Sequence, residues 1–181
     1  MEAEYLPEII LITGNMAAGK SSVAQALAER LSKSVHVRGD LFRRMIVRGQ
    51  ADMTSDLSEE AMRQLELRYQ LSAHVAKSYV KAGFTVVYQD VIIGKALTEV
   101  TAFFENHRLF VVVLCPSAAI LAQRDRDRGK TAYADQASLA AFEHIFREKT
   151  PRLGYWLDNS DLSLTETVDA ILEQLQNPSL M

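Results

Sequence analysis

The eight residues Gly14-Asn15-Met16-Ala17-Ala18-Gly19-Lys20-Ser21 constrain this chain more than any other stretch. They fit GxxxxGK[ST], the pattern of a loop that wraps a phosphate chain. The two glycines let the backbone turn so that successive N–H groups point inward at an anion. Lys20 carries an ammonium able to reach β- and γ-phosphates, and the Ser21 hydroxyl is suited to ligate the Mg²⁺ that travels with them. A helix starting near Lys20, with Ser22 in its first turn, would aim its positive end at the same anion. Before the loop, Ile9-Ile10-Leu11-Ile12 is a continuous apolar run, as in a strand buried on both faces. After it, Val23, Ala26, Leu27 and Leu31 recur at helical spacing. Strand, loop and helix together separate a nucleotide site from a Gly-rich turn that matches by chance. The candidate nucleotide-binding residues are therefore Gly14, Asn15, Met16, Ala17, Ala18, Gly19, Lys20, Ser21 and Ser22, with ATP and Mg²⁺ as the expected ligands.

The remaining chain alternates apolar runs with helical patterns. Ser34-Val35-His36-Val37 reads as a second strand, followed by Arg38-Gly39-Asp40 and a helix beginning LFRRMI. Residues 48–56 read as a loop. Leu57 to Gly83 carries the longest helical pattern, with Ser58 as its start signal and Gly83 as its stop. Phe84 to Tyr88 is a third strand running on to Gln89-Asp90, Leu97 to Phe104 a helix, and Leu109 to Leu114 a fourth strand. A helix through Ile120 and Leu121 leads into Arg124-Asp125-Arg126-Asp127-Arg128-Gly129-Lys130. A further helix runs through Phe142 and Phe146 to Thr150-Pro151. Tyr155-Trp156-Leu157 is a fifth strand, and Thr165 to Leu175 the last helix. Strands that are compact apolar runs, each followed by a helix, imply an α/β fold with a parallel sheet covered on both faces.

At 181 residues the expectation is one domain, residues 1–181, with a core large enough to need no staples. The net charge of -3 offers no general attraction to nucleic acid or to an anionic membrane, so neither partner is expected. One cysteine, Cys115, excludes an internal disulfide framework and reads as a small core residue. No apolar stretch approaches a membrane span, and MEAEYLPE lacks a signal peptide's regions, which makes the cytoplasm the expected compartment.

In open parallel sheets ligands bind outside the carboxyl ends of the strands. Asp40 follows the second strand and Asp90 ends the third. Asp40 is a candidate base for an acceptor hydroxyl, or a cap for the helix it precedes. Asp90 is a candidate to hold Mg²⁺ through water, paired with Ser21, or else a loop carboxylate. Arg124 and Arg128 are candidate catalytic cations on a lid, about residues 124–137, that closes on the triphosphate; the bland alternative is a solvated helix face. Closure alone would bring those arginines to the phosphates. His74 and His144 fall within helical patterns and read as ordinary core or surface residues, and His36 and His107 have no evident partner.

Two kinds of chemistry compete for such a loop. A motor ATPase usually places Glu after the strand-end Asp, but Val91 follows Asp90; a GTP switch carries Asn-Lys-x-Asp, which does not occur here. With no group to activate water, transfer to a hydroxyl fits better, and Asp40 then takes its proton.

Three segments, ITGNMAAGKSS, HVRGDLF and FTVVYQDVIIG, make the first hundred residues resemble the chloramphenicol phosphotransferase-like group of small phosphate-loop kinases. The resemblance implies a three-layer fold with a five-stranded parallel sheet in the order 2-3-1-4-5. It implies Asp40 as catalytic base and equates Asp90-Val91 with the family's Asp-Val pair, Gly94 following. The Arg-rich segment and WLDNSDLSLTETVDAIL are similar to the wider set of small-molecule and polynucleotide kinases. Met45 to Tyr69, where specificity would be set, does not look distinctively like the antibiotic kinase. The expected activity is ATP-dependent phosphorylation of a hydroxyl on a small molecule, an antibiotic being one candidate. The alternatives are a toxin-like kinase acting on a nucleotide sugar and a nucleotide-binding regulatory protein with little catalysis.

Overall fold

Strand β1 (Ile9–Gly14) is buried along its whole length, and its side chains alternate between two cores. Ile10 and Ile12 enter one, Ile9 and Leu11 the other. This is the period-2 geometry of a strand applied to a run with no polar face. The computed structural model describes residues 6–52, 58–127 and 136–176. Within them, β1 is the middle strand of a five-stranded sheet, with β2 (Ser34–Arg38), β3 (Thr85–Gln89), β4 (Leu109–Leu114) and β5 (Tyr155–Leu157). The order is β2-β3-β1-β4-β5 and every pairing is parallel.

Helices cover both faces. Helix α1 (Lys20–Arg30) and the C-terminal helix α7 (Leu164–Gln176) pack over Ile10, Ile12, Val87, Phe110, Val112 and Leu114. On the opposite face α3 (Glu59–Lys81) and α4 (Ala96–Ala102) cover Ile9, Leu11, Val86, Tyr88, Val111 and Val113. Between them lie the short α2 (Asp40–Arg44), α5 (Ala118–Asp127) and α6 (Gln136–His144), whose last turn continues as a π-helix, Ile145–Lys149. The result is the expected three-layer α/β fold, with the expected strand order. No helix among the described residues is long and apolar enough to cross a membrane.

The start of α3 is where Ser58 predicted it, because the Ser58 hydroxyl accepts the Ala61 N–H at 3.1 Å. Leu57 and residues 53–56 lie outside the described residues. Helix α4 ends at Ala102, two residues short of the expected Phe104, which turns inward and packs its ring 6.3 Å from that of Tyr88. The helix through Phe142 and Phe146 is not uniform as expected. Its π turn seats Phe146 in the core, ring centroid 5.2 Å from Trp156, while the Thr150 hydroxyl accepts Gly94 N–H at 2.7 Å. Gly154 enters β5 at φ 72°, and a Cβ there would overlap the Val111 carbonyl, so close strand approach demands glycine. Cys115 is a buried residue of the core, as expected, and burial pushes its thiol pKa up.

Candidate active site

The carboxyl ends of β1, β2 and β3 bring the motif loop, Asp40 and Asp90 to one edge of the sheet. The loop leaves β1 at Gly14 with φ 141°, passes Ala17 at φ 65° and enters α1 from Gly19 at φ 93°. Left-handed turns at Ala17 and Gly19 give the backbone the form of an anion-binding nest. For Ala17 that form costs roughly 1–2 kcal/mol, strain that the surrounding packing holds in place. Gly14 has no alternative residue, since a Cβ would overlap the Leu114 carbonyl oxygen of β4.

Lys20 is buried, and its ammonium donates to the Asn15 carbonyl at 2.7 Å. A bound phosphate would compete for that ammonium. The side chain of Asn15 reaches the other way and donates to Glu143 Oε1 on α6. Glu143 in turn accepts from Arg147 Nε at 3.2 Å, and Arg147 donates to the Pro116 carbonyl at 2.9 Å. The loop is thus tied to the π turn and to the end of β4. On its other side the Asn159 amide and the Arg124 guanidinium both donate to the Ala18 carbonyl, at 3.2 and 3.4 Å, and Arg124 also donates to the Asn159 carbonyl at 2.9 Å.

Arg124 therefore differs from its expectation. It does not stand off on a lid awaiting closure; it is half-buried against the phosphate loop already, and burial lowers its pKa from the ordinary guanidinium value. Arg128 lies outside the described residues, as do residues 129–135 of the candidate lid.

Asp90 is the counter-ion of Arg68, which reaches it from α3. Arg68 Nε donates to Oδ2 at 2.8 Å and Nη2 donates to Oδ1, a two-bond fork. The Val91 N–H donates to Oδ1 at 2.7 Å and the Tyr88 hydroxyl to Oδ2 at 3.4 Å. The side chain of Asp90 is 0 % exposed. Both oxygens are occupied and neither faces water, so Asp90 in this arrangement does not fit the expected role of metal ligand. Ser21 does fit: it is half-buried in the first turn of α1, and its hydroxyl makes no hydrogen bond to the described residues. Among the described residues no three His, Cys, Asp or Glu side chains converge as a metal cluster.

The Asp90 pair also shapes the turn that carries Asp40. Gly39 N–H donates to the Gln89 carbonyl at 3.1 Å, and the Gly39 Cα lies so close to the Asp90 carboxylate that a Cβ would overlap it. Asp40 is the first residue of α2 and makes no capping bond; Gly39 occupies the cap position. Its Oδ2 is 2.7 Å from Arg44 and 3.5 Å from Arg38, while its buried Oδ1 has no partner. Capping is therefore not what Asp40 does. Thr13 completes the frame: its hydroxyl donates to the Ile92 carbonyl at 2.7 Å and accepts the Ile92 N–H at 2.9 Å, clamping the segment after β3 to β1.

Of the predicted residues, the structure brings Gly14 to Ser22, Arg124, Asp40 and Asp90 to the same sheet edge. His74 and His144 are exposed, and His36 meets Gln25 at 3.0 Å. Sequence reasoning missed Arg68, Glu143, Arg147 and Asn159. Arg68 sits at helical spacing among polar residues, and no signal short of the tertiary fold marks it. Asn159 was visible as a polar residue just after β5, at the strand end where ligands gather.

Comparison with known structures agrees with the fold. The fold is similar to a gluconokinase from Sinorhizobium meliloti, with TM-score 0.65 and 18% identity over 95% of this chain and 93% of that one. It is similar to a shikimate kinase from Acinetobacter baumannii solved with shikimate, with TM-score 0.66 and 20% identity over 97% and 96%. An APS kinase from Mycobacterium tuberculosis, solved with AMPPNP and APS, gives TM-score 0.68 and 17% identity over 94% and 98%. Among curated protein sequences none matches. The fold is that of the phosphate-loop kinases. A family profile described as AAA domain matches residues 9–149, from β1 to the end of the π turn, and the chain belongs to that family.

Proposed function

We propose that this protein is an ATP-dependent phosphotransferase that moves the γ-phosphoryl group to a hydroxyl of a small molecule. The observation that carries the reading is Asp40 Oδ1. It is a carboxylate oxygen without a partner, at the end of β2, one strand removed from the strand that feeds the phosphate loop. Transfer to an alcohol needs a group to receive the hydroxyl proton as the new bond forms. The acceptor oxygen attacks the γ-phosphorus, the bond from that phosphorus to the β–γ bridging oxygen breaks, ADP leaves, and the proton passes to Asp40. Lys20 and Arg124 are the cations on the loop that would meet phosphate charge. The kinases of similar fold, named for gluconate, shikimate and APS, support transfer to small molecules as a class.

Mg²⁺ supplies charge neutralisation at the phosphates in such chemistry, and Ser21 is the residue here that would hold it. Asp90 is left to Arg68. The antibiotic acceptor suggested by the chloramphenicol phosphotransferase-like resemblance is one member of this substrate class.

The test pairs catalysis with binding. General-base contributions run about 10²–10⁴-fold, so Asp40→Asn should slow acceptor-dependent ADP release by that order. Mg·ATP affinity, measured by calorimetry, should stay at the wild-type value. A variant that loses Mg·ATP binding instead, or wild-type turnover that no hydroxyl compound stimulates, contradicts the reading.

A further inference from the structure

Among the described residues, the guanidinium groups around Asp40 outnumber the carboxylates that answer them. Arg38, Arg43, Arg44 and Arg68 lie at this end of the sheet, and the carboxylates that pair with them are Asp40 and Asp90 alone among the described residues. Arg68 is committed to Asp90. Arg44 and Arg38 share Asp40 Oδ2. Arg43 pairs with no described carboxylate: it donates to the Ala51 carbonyl at 2.6 Å, and its Nε is buried without a partner. The Nε of Arg38 is in the same condition. A buried donor left unmade costs about 1–3 kcal/mol, and folded proteins carry few of them. Here two belong to arginines on the segment that carries Asp40, a catalytic-candidate carboxylate whose own Oδ1 is unpartnered.

These groups do not await the triphosphate. The phosphate loop has its own cations, Lys20 within it and Arg124 packed on Ala18 from the β4 side of the sheet. The arginine cluster lies on the opposite side, beyond β3, where β2 ends. Its unmet donors are the Nε–H groups of Arg38 and Arg43, and guanidinium N–H groups of this kind pair with the oxygens of a carboxylate or phosphate ester. A neutral alcohol would leave both the donors and the excess charge unanswered. Arg44, 66% exposed in its side chain, and the exposed Met45 end α2 and are open to solvent.

We propose that the site beside Asp40 takes an oxyanion, and hence that the acceptor bears a carboxylate or phosphate ester next to the hydroxyl it presents, held by Arg43 and Arg38 with Arg44 at the rim. This rests on the kinase reading for the word acceptor, but not for the anion site. Two measurements keep the two claims apart. In ADP-saturated protein, where the phosphate loop is filled, malonate and inorganic phosphate are titrated against the arginine Nε resonances, with glycerol as the neutral control. Phosphoryl transfer is then compared among glycerol, glycerate and glycerol phosphate, with wild type, Arg43→Gln and Arg43→Lys.

The expected result is a saturable shift of the Arg43 and Arg38 resonances by the anions and none by glycerol. In turnover, the anionic alcohols should be preferred. Arg43→Gln should raise the acceptor KM by about tenfold or more with the ATP KM unmoved, and Arg43→Lys should recover part of the loss. A merely structural Arg43, propping the Ala51 carbonyl, would raise the KM of glycerol and glycerate alike. Preference for the phosphate ester over the carboxylate, or the reverse, assigns the source of the oxyanion. Anion-dependent shifts without any transfer uphold the site and sink the kinase reading. Shifts no larger with malonate or phosphate than with glycerol, or glycerol turned over as well as its anionic relatives, overturn the proposal.

Discussion

At the residue scale, charge placement decides the roles. Lys20 holds its ammonium on the Asn15 carbonyl, a contact made within its own loop. Lys20→Ala should leave the thermal midpoint within a few degrees of wild type and abolish ATP turnover; wild-type turnover would remove the loop from the account. Asp90 is the opposite case. Its carboxylate neutralises Arg68 in a site with 0 % side-chain exposure, and removing one partner of such a pair costs about 3–5 kcal/mol because the other charge stays buried. Asp90→Ala should therefore lower stability by that order in a denaturant titration, and Asp90→Ala with Arg68→Met should recover much of it. A stability unchanged by Asp90→Ala, together with a weakened Mg²⁺ dependence, would return Asp90 to the metal. The two aspartates looked alike in the sequence, since both follow strands. What told them apart was Arg68, twenty-two residues away on α3.

At the scale of elements, strands were legible and helix ends less so. The strands carry apolar runs that only a twice-covered sheet explains, and β4 and β5 fall on Leu109–Leu114 and Tyr155–Leu157 as read. The π turn at Ile145–Lys149 left no such mark, because its cause is tertiary: Thr150 bonds Gly94, and Phe146 packs against Trp156. Turns of this kind recur at functional sites. Here it places Arg147 and Glu143 to brace Asn15. The turn before α2 makes a sharper prediction. Gly39 has ordinary helical backbone angles, so alanine is barred there by space and not by φ. Gly39→Ala should push Asp40 away from the phosphate loop. Acceptor-dependent turnover should fall at least about tenfold, with Mg·ATP affinity kept. Equal turnover in Gly39→Ala would show that the Asp90–Gly39 packing does not position Asp40.

Across the whole molecule, alternation of strands and helices gave the layers, but not the order of the strands. The order 2-3-1-4-5 followed from the resemblance and is the order observed. It matters because it places Asp40 beyond β3 and Arg124 beyond β4, with the phosphate loop between them: phosphate cations on one side, acceptor chemistry on the other. The most direct test of that arrangement is the fate of a γ-labelled phosphoryl group in a single turnover with a panel of small hydroxyl compounds. The account predicts that the label appears on one compound's hydroxyl with wild type, is slowed by about 10²–10⁴ in Asp40→Asn, and is not transferred by Lys20→Ala. Label that passes only to inorganic phosphate, at a rate no compound alters, would contradict it.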